Sequence, residues 1–196
     1  MPRSGADARR RLQQAALELF QEQGFDQTTT AEIAARAGVN ARTYFRHFAD
    51  KREVLFDGEA DLRIALMQAI TRAPEGLEPF EVLLRAFRAS AQMLADNRPF
   101  SEPRWKVIAA TPALHERELA KYARLTDAVA EALRHRGIGN ARADLAARTG
   151  WAAYQHAVHT WMADPSQSLD TYLCRAFDEL RTLSLAIPPS GPNPEH

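Results

Sequence analysis

Thr29-Thr30-Ala31-Glu32-Ile33-Ala34-Ala35-Arg36-Ala37-Gly38-Val39-Asn40-Ala41-Arg42-Thr43-Tyr44-Phe45-Arg46-His47-Phe48 is the stretch that decides how the whole chain is read. Its opening pairs Thr29 with Glu32 in a capping box, where a hydroxyl and a carboxylate satisfy N–H groups left free at a helix start. Alanines favour the helix that follows, and Gly38 ends it, since a residue without Cβ takes a left-handed turn at little cost. Asn40 is the cap of a second short helix. Ile33, Ala34 and Ala37 lie on one face of the first helix, and Tyr44 and Phe48 lie on one face of the second. Together they make a miniature core between two closely crossing helices, as a helix-turn-helix requires. The opposite face of the second helix carries Arg42, Phe45 and Arg46 as near neighbours. An aromatic ring between two arginines suits no ordinary solvated face.

A helix of this size fits the DNA major groove, where arginine can donate two hydrogen bonds to guanine and a ring can press on a thymine methyl. Ala41 begins that helix. Thr29, Asn40, Thr43, His47 and Lys51 border it, and their polar groups are expected to meet phosphates with help from helix N-termini. The DNA-binding set read here is therefore Thr29, Asn40, Ala41, Arg42, Thr43, Phe45, Arg46, His47 and Lys51.

Working outward, Leu12, Ala15, Ala16, Leu19 and Phe20 follow a helical stripe, predicting a helix over 7–23 that Gly24 closes. Asp50-Lys51-Arg52-Glu53 reads as another capping box that opens a fourth helix. Beyond it, breaks at 74–79, 97–103, 112, 137–140 and 164–168 leave five or six further helices. Strand-like alternation is hard to find, so the predicted fold is all-α with about nine helices. The expected organisation is a DNA-binding domain over 1–50, an effector-binding and dimerisation domain over 51–187, and a proline-rich flexible tail over 188–196.

The 196 residues carry 25 basic and 25 acidic side chains, and 45% are hydrophobic. That balance excludes a uniformly basic nucleic-acid coat and a chain disordered by default. Residues 1–56 hold nine basic and seven acidic groups, a net +2. The run Arg9-Arg10-Arg11 fits either phosphate contacts or a solvated helix start. The single Cys174 excludes an internal disulfide and fits a reducing cytosol. Neither a secretory signal nor a membrane span is legible, so the expected location is the cytoplasm, with no membrane partner.

Gly24-Phe25, the run Thr28 to Asn40, Thr43-Tyr44-Phe45-Arg46-His47-Phe48 and Asp50-Lys51 together resemble the DNA-binding domain of the TetR family of bacterial repressors. The resemblance covers about residues 9 to 56 and joins several spaced elements, which makes it far more specific than a lone motif. Phe45 stands where the family usually has Tyr, which removes a phenolic hydroxyl but keeps the ring. Asn40 stands where Ser is frequent, which keeps the cap. The resemblance implies a homodimeric repressor on a near-palindromic operator in double-stranded DNA. It further implies release by a small effector that enters the C-terminal helices and shifts the fourth helix with the attached reading head. The stretch Ala110-Thr111-Pro112-Ala113-Leu114 through Arg117, with Trp161, resembles the TetR subgroup of the mycofactocin-system regulator. That subgroup implies an acyl-CoA-like, largely apolar ligand.

In the remaining sequence most aromatic and Met side chains are expected to be core. Phe87, Arg104, Trp105, Tyr122, Trp151, Tyr154 and His156 are the set read as effector-binding, apolar walls with a few polar handles. Predicted helices over 141–162 and 169–186 resemble in position the family's dimerising pair, and Leu169, Tyr172, Leu173, Ala176, Phe177 and Leu180 form a stripe wide enough to serve both core and partner. His156 and His159, with Asp164 nearby, lack the supporting Cys or Glu cluster of a metal site. No glycine-rich phosphate cradle or activated nucleophile is legible either. The expectation is therefore no enzyme, no metal and no cofactor. The alternative reading is a helical protein-interaction module without sequence-specific DNA binding, and the presence of Arg42, Arg46 and Lys51 disfavours it.

Overall fold

The computed structural model describes residues 5–185. They form α1 (Gly5–Gln23), α2 (Thr30–Arg36), α3 (Ala41–His47), a 3-10 turn (Glu53–Leu55), α4 (Glu59–Arg72), α5 (Pro79–Asp96), α6 (Arg98–Ala110), α7 (Pro112–His135), α8 (Asn140–Ala163) and α9 (Leu169–Leu185). No strand occurs among the described residues. The tail expected over 188–196 lies outside them, as does the residue expected to end the last helix, Ala186.

Local chemistry explains most boundaries. Thr29 and Glu32 make the full reciprocal box at the head of α2, and Asn40 Oδ1 accepts from Thr43 N at 2.8 Å to cap α3. Gly24 and Gly38 take φ values of +86° and +66°, conformations that a Cβ would strain. Asp50 does accept from the backbone N–H groups of Arg52 and Glu53. It caps only the 3-10 turn, however, and α4 begins at Glu59. The fourth helix expected from Asp50 is thus corrected to a turn, a short link and then α4. The break expected over 97–103 shrinks to the single residue Asn97. Pro99 occupies the first turn of α6, where its missing N–H costs nothing, and Pro103 lies inside that helix.

The chain divides into two compact units, one holding the residues up to Arg63 with Asp96–Leu125, the other Ile64–Ala95 with the residues from Thr126 onward. In the first, Leu12, Ala16, Leu19 and Phe20 of α1 pack with Ile33, Ala34, Tyr44 and Phe48, and with Val54, Leu55 and Phe56 of the turn. Val107 and Ile108 of α6 and Leu114 of α7 belong to the same core. In the second, Phe87 of α5 stacks on Tyr154 of α8, centroids 4.6 Å apart, and meets Trp151 and Phe177 at 5.9 and 6.1 Å. Gly150 lets α8 approach α5 so closely that a Cβ there would lie 2.6 Å from Leu83 Cδ1. Arg136 closes the end of α4 by donating to the carbonyls of Ile70, Ala73 and Pro74.

Candidate nucleic-acid interface

The reading helix is anchored from behind. Tyr44 is 0% exposed, its hydroxyl donates to Asp50 O at 3.1 Å, and its ring contacts Phe48 at 5.7 Å. Burial holds the Tyr44 hydroxyl well above the usual phenol range, so it remains a neutral donor. With that side fixed, Arg42, Phe45 and Arg46 point outward, and Phe45 is 56% exposed. Phe45 meets the edge of Tyr44 at 5.4 Å, which ties the exposed ring to the buried one. Leaving a large apolar ring in water costs transfer free energy that only a partner recovers. Among the described residues neither Arg42 nor Arg46 makes an ion pair or a side-chain hydrogen bond, so both retain their donors for a ligand outside the chain.

The border residues divide by what they already hold. Asn40 and Thr43 are committed to the cap of α3 through the Asn40 side chain and Thr43 N. Thr29 N and Oγ1 both donate to Glu32 Oε2 at 2.7 Å, so this N-terminus already faces a carboxylate. Those hydrogen bonds hold the Glu32 carboxyl below its ordinary range. Lys51 departs most from expectation. Its ammonium donates to Phe25 O at 2.6 Å and Thr28 O at 2.9 Å and stands 4.1 Å from the Phe25 ring centroid. It is a fastener of the loop between α1 and α2, not a free phosphate hand. His47 is half-buried. Desolvation, then Arg46 and Arg9, push its imidazole below the usual value despite Asp57, so at neutral pH it offers a neutral ring.

The three-arginine run also has internal work. Arg9 binds Asp57 with both ends of its guanidinium, and Arg11 Nη1 donates to Ala37 O at 2.6 Å, closing the end of α2. Arg10, the most exposed, pairs with Asp7 alone among the described residues, at 2.9 Å. These uses favour the structural reading of the run. Sequence reasoning could not find them, because a basic residue and a backbone carbonyl 26 positions away carry no joint pattern.

The residues read as effector-binding fall into both units. Phe87, Trp151 and Tyr154 come together as buried, mutually packed rings, and His156 is exposed on α8. Arg104, Trp105 and Tyr122 belong to the first unit, where Arg104 donates to Leu55 O and pairs with Glu118. The α9 stripe is also split. Leu169, Leu173 and Phe177 are buried within their own unit, which removes them from any surface offered to a partner. Tyr172, Ala176 and Leu180 line a groove of about 570 Å³ between α8 and α9, with Ala152, His156 and Leu183.

Two family models match the chain: the N-terminal domain of bacterial regulatory proteins of the tetR family over residues 12–57, and the MftR C-terminal domain over 77–184. The HTH-type transcriptional regulator TcmR of Streptomyces glaucescens is 38% identical over 89 residues, 45% of this chain and 39% of that protein. The chain therefore matches well under half the length of TcmR. The Mycobacterium tuberculosis protein named mycofactocin biosynthesis transcriptional regulator MftR is 27% identical over 192 residues, 91% of this chain and 94% of that one. Among solved structures, Thermus thermophilus FadR, a TetR-family transcriptional repressor in complex with lauroyl-CoA, superposes with a TM-score of 0.58 at 29% identity, covering 96% of this chain and 100% of that one.

Proposed function

The chain belongs to the TetR family of bacterial regulatory proteins, with an MftR-type C-terminal domain, and is a DNA-binding transcriptional regulator; from that premise we propose that it is a cytoplasmic repressor that a small effector releases from its operator. In this reading residues 1–50 read DNA, 51–187 sense and dimerise, and two copies bind a near-palindrome. The observation that carries it is the exposed Arg42–Phe45–Arg46 face on a helix whose other side is locked by buried Tyr44. Two such helices about 34 to 36 Å apart would meet successive major grooves.

The α8–α9 groove supports dimerisation. Its alanines allow close helix approach, and its exposed Leu183 gains by being covered. A largely apolar, acyl-CoA-like effector is supported by the MftR-type C-terminal match and by lauroyl-CoA in the FadR neighbour. No described helix is long and apolar enough to cross a membrane.

The test is selection from a pool of random duplexes at one fixed salt concentration, since salt alone moves such affinities by orders of magnitude. Enrichment of one palindromic site is the expected result. Weak binding without enrichment would contradict it. The selected site then reports effector release, and reciprocity requires an effective compound to bind the operator complex more weakly than the free protein.

A further inference from the structure

The first unit holds a second concentration of charge that DNA reading does not use. At its centre is Phe56, 3% exposed. The cationic carbons of Arg117 and Arg104 lie 4.6 and 5.1 Å from its ring centroid, and Lys121 Nζ lies at 5.9 Å. Arg117 donates to Glu53 at 2.6 and 2.9 Å and to Glu59 at 3.0 Å. Arg124 donates to Glu59 at 2.9 and 3.0 Å. Arg104 pairs with Glu118 at 3.2 Å, and Lys121 Nζ donates to Glu118 Oε1 at 2.7 Å. Four cations against three carboxylates leave one positive charge in excess.

Two features locate that excess. Arg117 Nη1 is buried with no hydrogen-bond partner among the described residues. Lys121, its side chain 11% exposed, faces Arg104, Glu118, Glu59 and the rings of Phe56 and Tyr122. Burial first, then Arg104, push its amine down to about 8 against the pull of Glu118 and Glu59. An ordinary lysine keeps its proton to roughly pH 10. An unpaired guanidinium nitrogen and a reluctant ammonium are both signs of a shortage of negative charge in partly dry surroundings.

We propose that Lys121, Arg104 and Arg117 form an anion-binding site that takes the carboxylate or phosphate group of a small ligand. This deepens the effector reading above and rests on it for any regulatory consequence. A monoanion brings the cluster to neutrality, with planar guanidinium donors suited to either group. It also restores the proton of Lys121. At a pH equal to the amine's own value of about 8, about half the molecules lack that proton, so each anion bound draws in about half a proton.

The full chain is titrated calorimetrically at pH 8 with octanoate and, separately, with inorganic phosphate, each in two buffers of different ionisation enthalpy. Saturable binding with uptake of about half a proton is expected for at least one of them, and for octanoate the uptake falls toward zero at pH 6.5. Binding by octanoate alone assigns an organic-acid head group, binding by phosphate alone a phosphoryl group, and either upholds the site. Lys121→Arg, whose charge never leaves, keeps affinity within about threefold but takes up no proton. Glu118→Gln removes a carboxylate that holds the Lys121 proton, so anion binding at pH 8 strengthens several-fold and draws in more than half a proton. The proposal is overturned if neither anion binds at millimolar concentration, if binding carries no proton uptake, or if the uptake with octanoate, which unlike phosphate does not itself titrate in this range, survives in Lys121→Arg. Operator release is followed in the same samples. An anion that binds with uptake yet leaves the operator complex intact keeps the site and ends its effector role. A compound that releases operator without uptake keeps the effector reading and ends this site.

Discussion

Arg42 and Arg46 on α3 and Arg104 and Arg117 on α6 and α7 are the same residue type in opposite circumstances. The first pair is exposed and makes no ion pair or side-chain hydrogen bond among the described residues, beside a ring that water should not see. The second pair is largely buried and spends most of its donors on Glu53, Glu59, Glu118 and the Leu55 carbonyl, with Arg117 Nη1 left over. The difference separates function from architecture more reliably than composition does. A guanidinium donor spent inside holds the fold, and a spare one, whether on α3 or at Arg117 Nη1, is available to a ligand.

The harshest way to break the contrast is Arg117→Ala. It strands the partly buried Glu53 and leaves Glu59 to Arg124 alone, and should cost about 3 kcal/mol of stability, read as a lower denaturant midpoint. An unchanged midpoint would mean the network is ornamental. Arg42→Ala should do the reverse. Operator binding falls by about 1 to 3 kcal/mol and sequence preference relaxes, while the denaturant midpoint stays put. If affinity and preference both survived, the outward face of α3 would not be the reading face.

A pH series sharpens the comparison. Lys121 has a folded-state value of about 8, below its unfolded value, so the folded chain holds fewer protons between the two. The cost of burying its charge is therefore full below pH 8 and is relieved as pH rises from 8 toward 10.5. Stability should grow by between about 1 and 2 kcal/mol from pH 8 to 9.5 relative to Lys121→Met, in which that gain is absent. Parallel curves for the two proteins would contradict the burial of the amine. Lys51→Ala gives the smallest effect, about 1 kcal/mol of stability for two carbonyls losing their donor. The salt dependence of DNA binding should stay as it was, whereas a phosphate-binding lysine would lower that slope by about one.

The reading head was largely legible because its signals are local. Capping at Thr29 and Asn40, the glycine stops at 24 and 38 and the inward spacing of Ile33, Tyr44 and Phe48 involve residues a few positions apart, and each reappears in the structure. Local signals failed where they were ambiguous. Asp50 accepts from the backbone of Arg52 and Glu53 ahead of a 3-10 turn as readily as ahead of a helix, and Pro103 sits within α6. The α9 stripe announced two apolar duties without saying which leucines take which. Only packing against the rest of its unit buried Leu169 and Leu173 and left Leu180 to the groove.

By itself the sequence determined an all-helical chain headed by a helix-turn-helix with an Arg–Phe–Arg face, since backbone capping and helical periodicity act over four residues or fewer. Tertiary structure alone decided what the long cations do. Lys51 reaches carbonyls 23 and 26 residues back, Arg11 one 26 residues ahead, and Arg117 carboxylates 58 and 64 residues away. A flexible charged side chain takes its partner from whatever the fold brings within reach, and that neighbourhood exists only once the helices have packed.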